Sequence, residues 1–186
     1  MTFAAVIVLI LRLVVPLSIF RWRIRGALAS MVLDGLDVVL VDLIARLTGE
    51  AGGFSTYYQY FDKTTDLYYL AIEAYVSLSW QNSMCRNTSV FLFVFRLIGV
   101  VIFEATGARY RIIVFLFPNL FEHFFLFYII AERVKPRWIP TTKRALAWVL
   151  FLLYIPKFGQ EYLLHFAEAS PWNWFKDAIL GIEPKA

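Results

Sequence analysis

The chain has 186 residues, of which 60% are hydrophobic and 17% are charged, and its formal net charge is +4. A soluble domain carries about 25% charged residues, whereas the mean hydropathy of this chain is +0.65. The composition therefore excludes an ordinary soluble domain, and the length favours a single domain. In a membrane protein a modest positive charge reflects orientation, so we infer no nucleic-acid partner.

Six apolar segments are long enough to cross a bilayer, since a spanning helix needs about 20 mostly apolar residues. In chain order they cover residues 3–20, 27–48, 64–82, 89–106, 112–131 and 145–166. The first contains Arg12 and Pro16 and is the weakest of the six, so five spans would result if it is re-entrant. We predict an all-α polytopic transmembrane helix bundle that forms one domain over residues 1–170.

The C-terminal segment 171–186 has a different pattern. Trp172, Phe175 and Ile179 are spaced three and four residues apart and share one side of a helix. A short amphipathic helix with aromatic residues on its apolar face is typical of a segment that lies on a membrane surface. We predict that this segment is an interfacial anchor.

Basic residues in the loops predict the orientation. Nine arginines and lysines lie in the loops after spans one, three and five, against six on the opposite side. Because basic loops remain in the cytoplasm, both termini are predicted to be non-cytoplasmic. We expect a multi-pass protein of a bacterial-type plasma membrane. The expected partners are the lipid bilayer and either other membrane proteins or further copies of this chain.

Ionisable residues interrupt nearly every apolar segment. They are Arg12, Asp34, Asp37, Asp42, Glu73, Arg96, Glu104, Glu122, Lys157 and Glu161. One charge in hydrocarbon costs at least about 2.5–3.5 kcal/mol, so these groups must face one another or a wet cavity. Carboxylates outnumber the cations, and an unpaired buried acid takes up a proton or binds a cation. We therefore predict a site for a cation or proton, and the sequence leaves open which monovalent or divalent ion it takes.

The spacing of these residues favours one shared cavity. Asp62, Asp66 and Glu73 fall on one stripe of a helix, and Lys157 and His165 fall on another with Glu161 between them. We predict a cavity that opens outward and is acidic. Its mouth is lined by Asp66, Glu73, Glu104 and Glu161, its deeper part by Asp37 and Glu122, with Arg96 and Lys157 as counter-charges and His165 as a proton relay.

Two prolines lie inside predicted spans. Pro118 and Asn119 interrupt the fifth span just before Glu122, and Pro156 precedes Lys157 in the sixth. A proline frees a backbone carbonyl within a helix. Broken helices beside charged groups line the binding sites of many transporters, which favours a transport-related site at these two positions.

A second set of acids resembles a known signature. Asp34-Gly-Leu-Asp37, Ala45-Arg46 and Asp62-Lys-Thr-Thr-Asp66 match, in residue type and order, the signature of the CDP-alcohol phosphotransferases. The spacing departs from it: Val38 stands where the signature has glycine, and the Ala-Arg pair and Asp62 come four and seven residues later than in the signature. The resemblance implies a magnesium-dependent lipid-headgroup phosphotransferase with Asp34, Asp37, Asp62 and Asp66 as metal ligands.

Three interpretations therefore stand beside one another. The preferred one is cation or proton binding or conduction, and the second is the metal-dependent enzyme, so catalysis is left open. The third is a non-catalytic subunit of a larger membrane complex, in which buried charges form only structural salt bridges.

Overall fold

The computed structural model describes residues 2–50, 56–106 and 116–161, and within 56–63 and 160–161 it describes the backbone alone. Every regular element in these ranges is helical, and they contain no strand. The all-α prediction is therefore confirmed for the described part of the chain. The predicted interfacial segment 171–186 lies outside it.

Six α-helices and two short 3₁₀-helices follow one another in the described residues. They are α1 (Phe3–Val14), a 3₁₀-helix (Val15–Phe20), α2 (Arg23–Thr48), α3 (Thr56–Ser77), α4 (Ser83–Ala105), α5 (Leu120–Val134), a 3₁₀-helix (Pro136–Trp138) and α6 (Lys143–Glu161). They divide into two compact units, with Met1–Tyr69 in the first and Leu70–Ala169 in the second. A single bundle over residues 1–170 stays a prediction.

The N-terminus of α1 is capped twice in the first unit. The Thr2 hydroxyl accepts a hydrogen bond from the Ala5 amide at 3.2 Å. The Glu50 carboxylate, just beyond the end of α2, accepts bonds from the Phe3 and Ala4 amides at 3.4 Å each. These bonds satisfy amides that have no partner inside the helix, and the negative charge lies at the positive end of the helix dipole.

Small residues let α1 and α2 pack closely. Ala4, Ala5 and Val8 of α1 form a buried cluster with Val41 and Ala45 of α2. Positions four residues apart lie on the same side of a helix. The buried side of α1 therefore continues from Ala4 through Val8 toward the next residue in the series, which is an arginine.

Aromatic packing dominates the second unit. The fully buried Trp80, between α3 and α4, stacks on Tyr128 of α5 with ring centroids 3.7 Å apart, and Phe125 lies on the same ring at 5.7 Å. The side chain of Asn82 accepts a bond from the Cys85 amide at 3.0 Å and donates one to the Pro140 carbonyl at 3.1 Å. This network fixes the start of α4 against the segment before α6.

Within the described residues, two helical segments are long and apolar enough to cross a membrane, namely Phe3–Phe20 and Ser83–Ala105. They coincide with the first and fourth predicted spans. A span is thus supported at two of the six predicted positions, and the six-span arrangement stays a prediction.

Candidate functional site

Three aspartates converge on one arginine in the first unit. The Arg12 side chain is 4% exposed and donates hydrogen bonds to the carboxylates of Asp34, Asp37 and Asp66. The bond to Asp37 measures 2.5 Å, and that carboxylate is 6% exposed, whereas Asp34 and Asp66 are 28% and 31% exposed. We call these four residues the Arg12 cluster. It has one fully buried ion pair and two partly accessible carboxylates.

The helix register explains this convergence. Arg12 follows Val8 by four residues on the buried side of α1, and Asp37 precedes Val41 by four on the buried side of α2. Arg12 and Asp37 therefore extend the α1–α2 contact by one more turn. Asp34 lies three residues before Asp37 and shares its face, and α3 contributes the third carboxylate. The guanidinium suits this position because its planar fork of donors serves several carboxylate oxygens at once.

The cluster brings together three of the four aspartates in the phosphotransferase-like set. The side chain of the fourth, Asp62, lies outside the described residues, although its backbone is one turn before Asp66 on α3. The sequence alone marks Arg12 only as an unusual charge in a span. The signal that would have identified it is its place in the four-residue series Ala4, Val8, Arg12, whose first two members are buried.

The second unit contains a carboxylate without a hydrogen-bond partner. Glu73 of α3 is 0% exposed, and neither of its carboxylate oxygens has a hydrogen-bond partner. The charged group that acts on it electrostatically is Glu122 of α5, which is 5% exposed. Two predicted site residues therefore lie near each other in this unit.

The predicted break before Glu122 is present. Residues 117–119 are not helical, and α5 begins at Leu120 with Asn119 as its N-cap residue. The Asn119 side chain makes no capping bond; instead its Nδ2 donates to Glu122 Oε2 at 3.1 Å. Asn119 is 8% exposed, and its Oδ1 has no hydrogen-bond partner. The break thus delivers an amide and a carboxylate to one buried location.

Helix α4 holds this break in place. Arg96 donates a hydrogen bond to the Phe117 carbonyl at 3.0 Å, which satisfies a carbonyl in a non-helical segment. Gly99, one turn later on α4, lies so close to Phe117 that an added Cβ would overlap the Phe117 Cβ. In the structure, therefore, Arg96 binds a main-chain carbonyl, and its role as a counter-charge for carboxylates stays a prediction.

The remaining predicted residues lie on α4 and α6 or outside the described residues. Glu104 is exposed near the C-terminal end of α4, and Lys157 is buried in α6. Helix α6 continues through Pro156, so the second predicted helix break is wrong. The His165 side chain and that of Glu161 lie outside the described residues. One shared cavity for the whole set stays a prediction.

The donor atoms of both locations are oxygens. Carboxylate and amide oxygens are the ligands that hard cations such as Mg²⁺ and Ca²⁺ prefer. In the described part of the chain, no group of three or more histidine, cysteine, aspartate or glutamate side chains is arranged to hold a metal ion. In the Arg12 cluster the guanidinium lies where the carboxylates meet, and it serves there as their common cation.

Comparison of the chain with protein-family models, with curated proteins and with solved structures finds no match.

Proposed function

We propose that this chain is a multi-pass integral membrane protein that binds a cation at the Arg12 cluster. The observation that carries the proposal is the convergence of Asp34 and Asp37 from α2 with Asp66 from α3 on one point. Carboxylates from two helices meet there inside a largely apolar protein, where burying a charge costs free energy and marks a functional position.

Apolar exposed faces support the membrane part of the proposal. On α4 the exposed large apolar residues share one side of the helix: Phe91, Val94, Ile98, Val101 and Ile102. On α6 the corresponding set is Trp148, Phe151, Leu152, Ile155 and Phe158. Contiguous apolar faces of this size mark surfaces that are covered by a partner or by lipid. A lipid environment accounts for both helices at once.

The charge ratio supports the cation part. Three carboxylates surround one guanidinium in the Arg12 cluster, and the two that are partly accessible give an ion a route to it. A cation can bind at this point only if it replaces the Arg12 guanidinium in some of its contacts with the three carboxylates. The arginine then acts as a built-in competitor that holds the carboxylates together when no ion is bound.

The first test is the thermal stability of the purified protein in mild detergent, with Mg²⁺, Mn²⁺ or Ca²⁺ added at constant ionic strength. A ligand at 100 times its Kd stabilises the folded state by about 2.7 kcal/mol, so we expect the melting temperature to rise with one divalent ion. The rise should disappear in Asp66→Asn. It should remain in Asp42→Asn, a matched change on α2 outside the cluster.

Two results would contradict this proposal. The first is a melting temperature that no divalent ion changes, and the second is a rise that Asp66→Asn retains. If stoichiometric partner proteins also co-purify in mild detergent, the first result would favour a non-catalytic subunit of a membrane complex.

A second candidate function uses the same carboxylates. Asp34, Asp37 and Asp66 belong to the set that resembles the phosphotransferase signature, and they meet at Arg12. Their meeting favours a magnesium-dependent lipid-headgroup phosphotransferase. Its test is transfer of a phosphatidyl group from CDP-diacylglycerol to an alcohol in mixed micelles with Mg²⁺. Activity that is lost in Asp62→Asn supports this candidate, and activity that this variant leaves unchanged removes it.

A further inference from the structure

We propose that Glu73, Glu122 and Asn119 form a site in the second unit for one monovalent cation, either a proton or Na⁺. This site is separate from the Arg12 cluster and does not rest on the function proposed for it. Its defining feature is the group of buried oxygen atoms that these three side chains contribute from α3 and from the break before α5.

Glu73 provides the reason for a positive charge at this site. Its side chain is fully buried, and both of its oxygens lack hydrogen-bond partners. An ionised carboxylate in an apolar environment is stable only when it is paired or hydrogen-bonded. Folding therefore requires that a cation accompany Glu73, and a proton is the smallest cation that meets this requirement.

Glu122 determines how many positive charges the site needs. Its Oε2 accepts a hydrogen bond from the Asn119 amide at 3.1 Å, and it lies in the first turn of α5. The amide and the positive end of the helix dipole both stabilise a carboxylate there. Since the protein already supports the charge of Glu122, one acidic charge remains to be balanced, and a single monovalent cation balances it.

Asn119 provides a third type of oxygen donor. Its amide nitrogen is used by Glu122, whereas its Oδ1 is buried and has no hydrogen-bond partner. A buried carbonyl oxygen without a donor costs free energy unless an ion or a proton donor meets it. Oxygen donors alone suit hard cations rather than thiophilic metals, which agrees with a proton or Na⁺.

Three further ionisable groups lie on the helices of this unit. Arg96 of α4 donates to the Phe117 carbonyl and so positions the break. His123 lies beside Glu122 on α5, and Lys157 is buried on α6. The charge that acts on Glu73 is that of Glu122, so the two carboxylates are expected to bind the cation as a pair.

The experiment is infrared spectroscopy of the purified full-length protein in lipid nanodiscs, which detects a protonated carboxyl group through its carbonyl stretch. Spectra are compared in NaCl and in choline chloride at the same ionic strength and neutral pH. We expect a protonated-carboxyl band in choline that is absent in Glu73→Gln. A decrease of this band in NaCl assigns Na⁺ as the exchanging ion, and a band that NaCl leaves unchanged assigns the proton; both results support the site.

The control variant is Glu132→Gln, which changes an exposed glutamate on α5 outside the predicted site and should leave the band intact. If Glu73→Gln fails to fold, Asn119→Ala tests the same assignment, because loss of the third donor should shift the band without removing it. The proposal is overturned if choline buffer gives no such band, or if the band persists in folded Glu73→Gln. Neither outcome bears on the rise in melting temperature with a divalent ion, which depends on Asp66 and tests the proposed function separately.

Discussion

At the scale of single residues, Arg12 has the most demanding environment in the described part of the first unit. It is almost completely buried, and its three carboxylate partners come from two other helices. Burying such a group is favourable only while its hydrogen bonds are complete, because the cost of removing charge from water is large. The residue therefore couples the positions of α1, α2 and α3 to one another.

We predict that Arg12→Gln lowers the free energy of unfolding by about 3–5 kcal/mol, since removal of one partner leaves buried charge uncompensated. Arg12→Lys should have an intermediate effect, because it keeps the charge but loses the planar fork of donors. Chemical unfolding in detergent would measure both changes.

The control is Arg21→Gln, at an exposed position beyond the 3₁₀-helix, which should change stability by no more than about 0.5 kcal/mol. Equal stability of the Arg12 and Arg21 variants would show that the cluster contributes no net stabilisation.

The sequence predicts that intramembrane charges must meet partners, and the Arg12 cluster agrees with that expectation. It does not predict which charges meet. Asp37 was assigned to the deeper part of the cavity with Glu122, and in the structure it binds Arg12 in the first unit. Pairing depends on the register between two helices, which follows from the packing of residues such as Ala4 and Val41 and is not contained in the spacing along either helix alone.

At the scale of helices, the close approach of α4 to the break before α5 depends on Gly99, which has no side chain. Gly99→Ala should destabilise the protein by about 1–3 kcal/mol, as overpacking usually does, because the new methyl group would overlap Phe117. A thermal-unfolding midpoint in detergent would detect this.

Gly35 of α2 supplies the matched control, since nothing lies within 4 Å of a Cβ added there. Alanine at this position should stabilise the helix by about 0.5–1 kcal/mol. A destabilisation of the same size in both variants would rule out the contact with Phe117 as the cause.

The apolar face of α4 leads to a different prediction. Ile98 lies on that face and is 46% exposed, so Ile98→Lys places a charge near the middle of a helix that is long and apolar enough to cross a membrane. Such a change costs about 2.5–3.5 kcal/mol in membrane insertion. We expect a smaller fraction of Ile98→Lys to resist extraction from membranes at alkaline pH.

Asn87→Lys, near the start of α4 and also exposed, should remain in the membrane fraction because a terminal lysine reaches the interface. Complete retention of both variants would indicate that this face of α4 does not contact lipid.

Helix boundaries were more predictable when a residue physically prevents a helix. Pro118 and Asn119 were expected to interrupt the fifth span, and α5 begins directly after them. Pro156 was expected to do the same, yet α6 continues through it. A proline removes one donor and disfavours the helical turn before it, but packing along the rest of a long helix can keep it continuous. The local sequence does not contain that packing.

At the scale of the whole molecule, the number of spans determines where the two termini lie. Six spans place both termini on the same side of the membrane, and the distribution of basic residues predicts the non-cytoplasmic side. Short epitope tags at each terminus should both be accessible to protease in intact spheroplasts. Tags on opposite sides would instead indicate five spans with a re-entrant first segment.

Hydropathy and charge were sufficient to predict an all-helical architecture for the described residues, although α3 and α4 begin at Thr56 and Ser83, earlier than the predicted spans. They were insufficient to predict the division into units at Tyr69 and Leu70, which falls inside α3, a helix that is continuous from Thr56 to Ser77. Sequence methods that treat each helix as one element cannot place such a boundary, because it depends on which neighbours each half of the helix contacts.

The buried position of Arg12 also has a consequence for biosynthesis. Segment α1 leaves the ribosome before α2 and α3, and the carboxylates that accept hydrogen bonds from its guanidinium follow Arg12 by 22, 25 and 54 residues. At about 5–20 residues per second, Asp66 is synthesised roughly 3–10 s after Arg12. During this interval a nascent α1 carries an arginine without its full set of acceptors, so its final placement must await α2 and α3. The order of translation thus delays the completion of the Arg12 contacts until α3 has been synthesised.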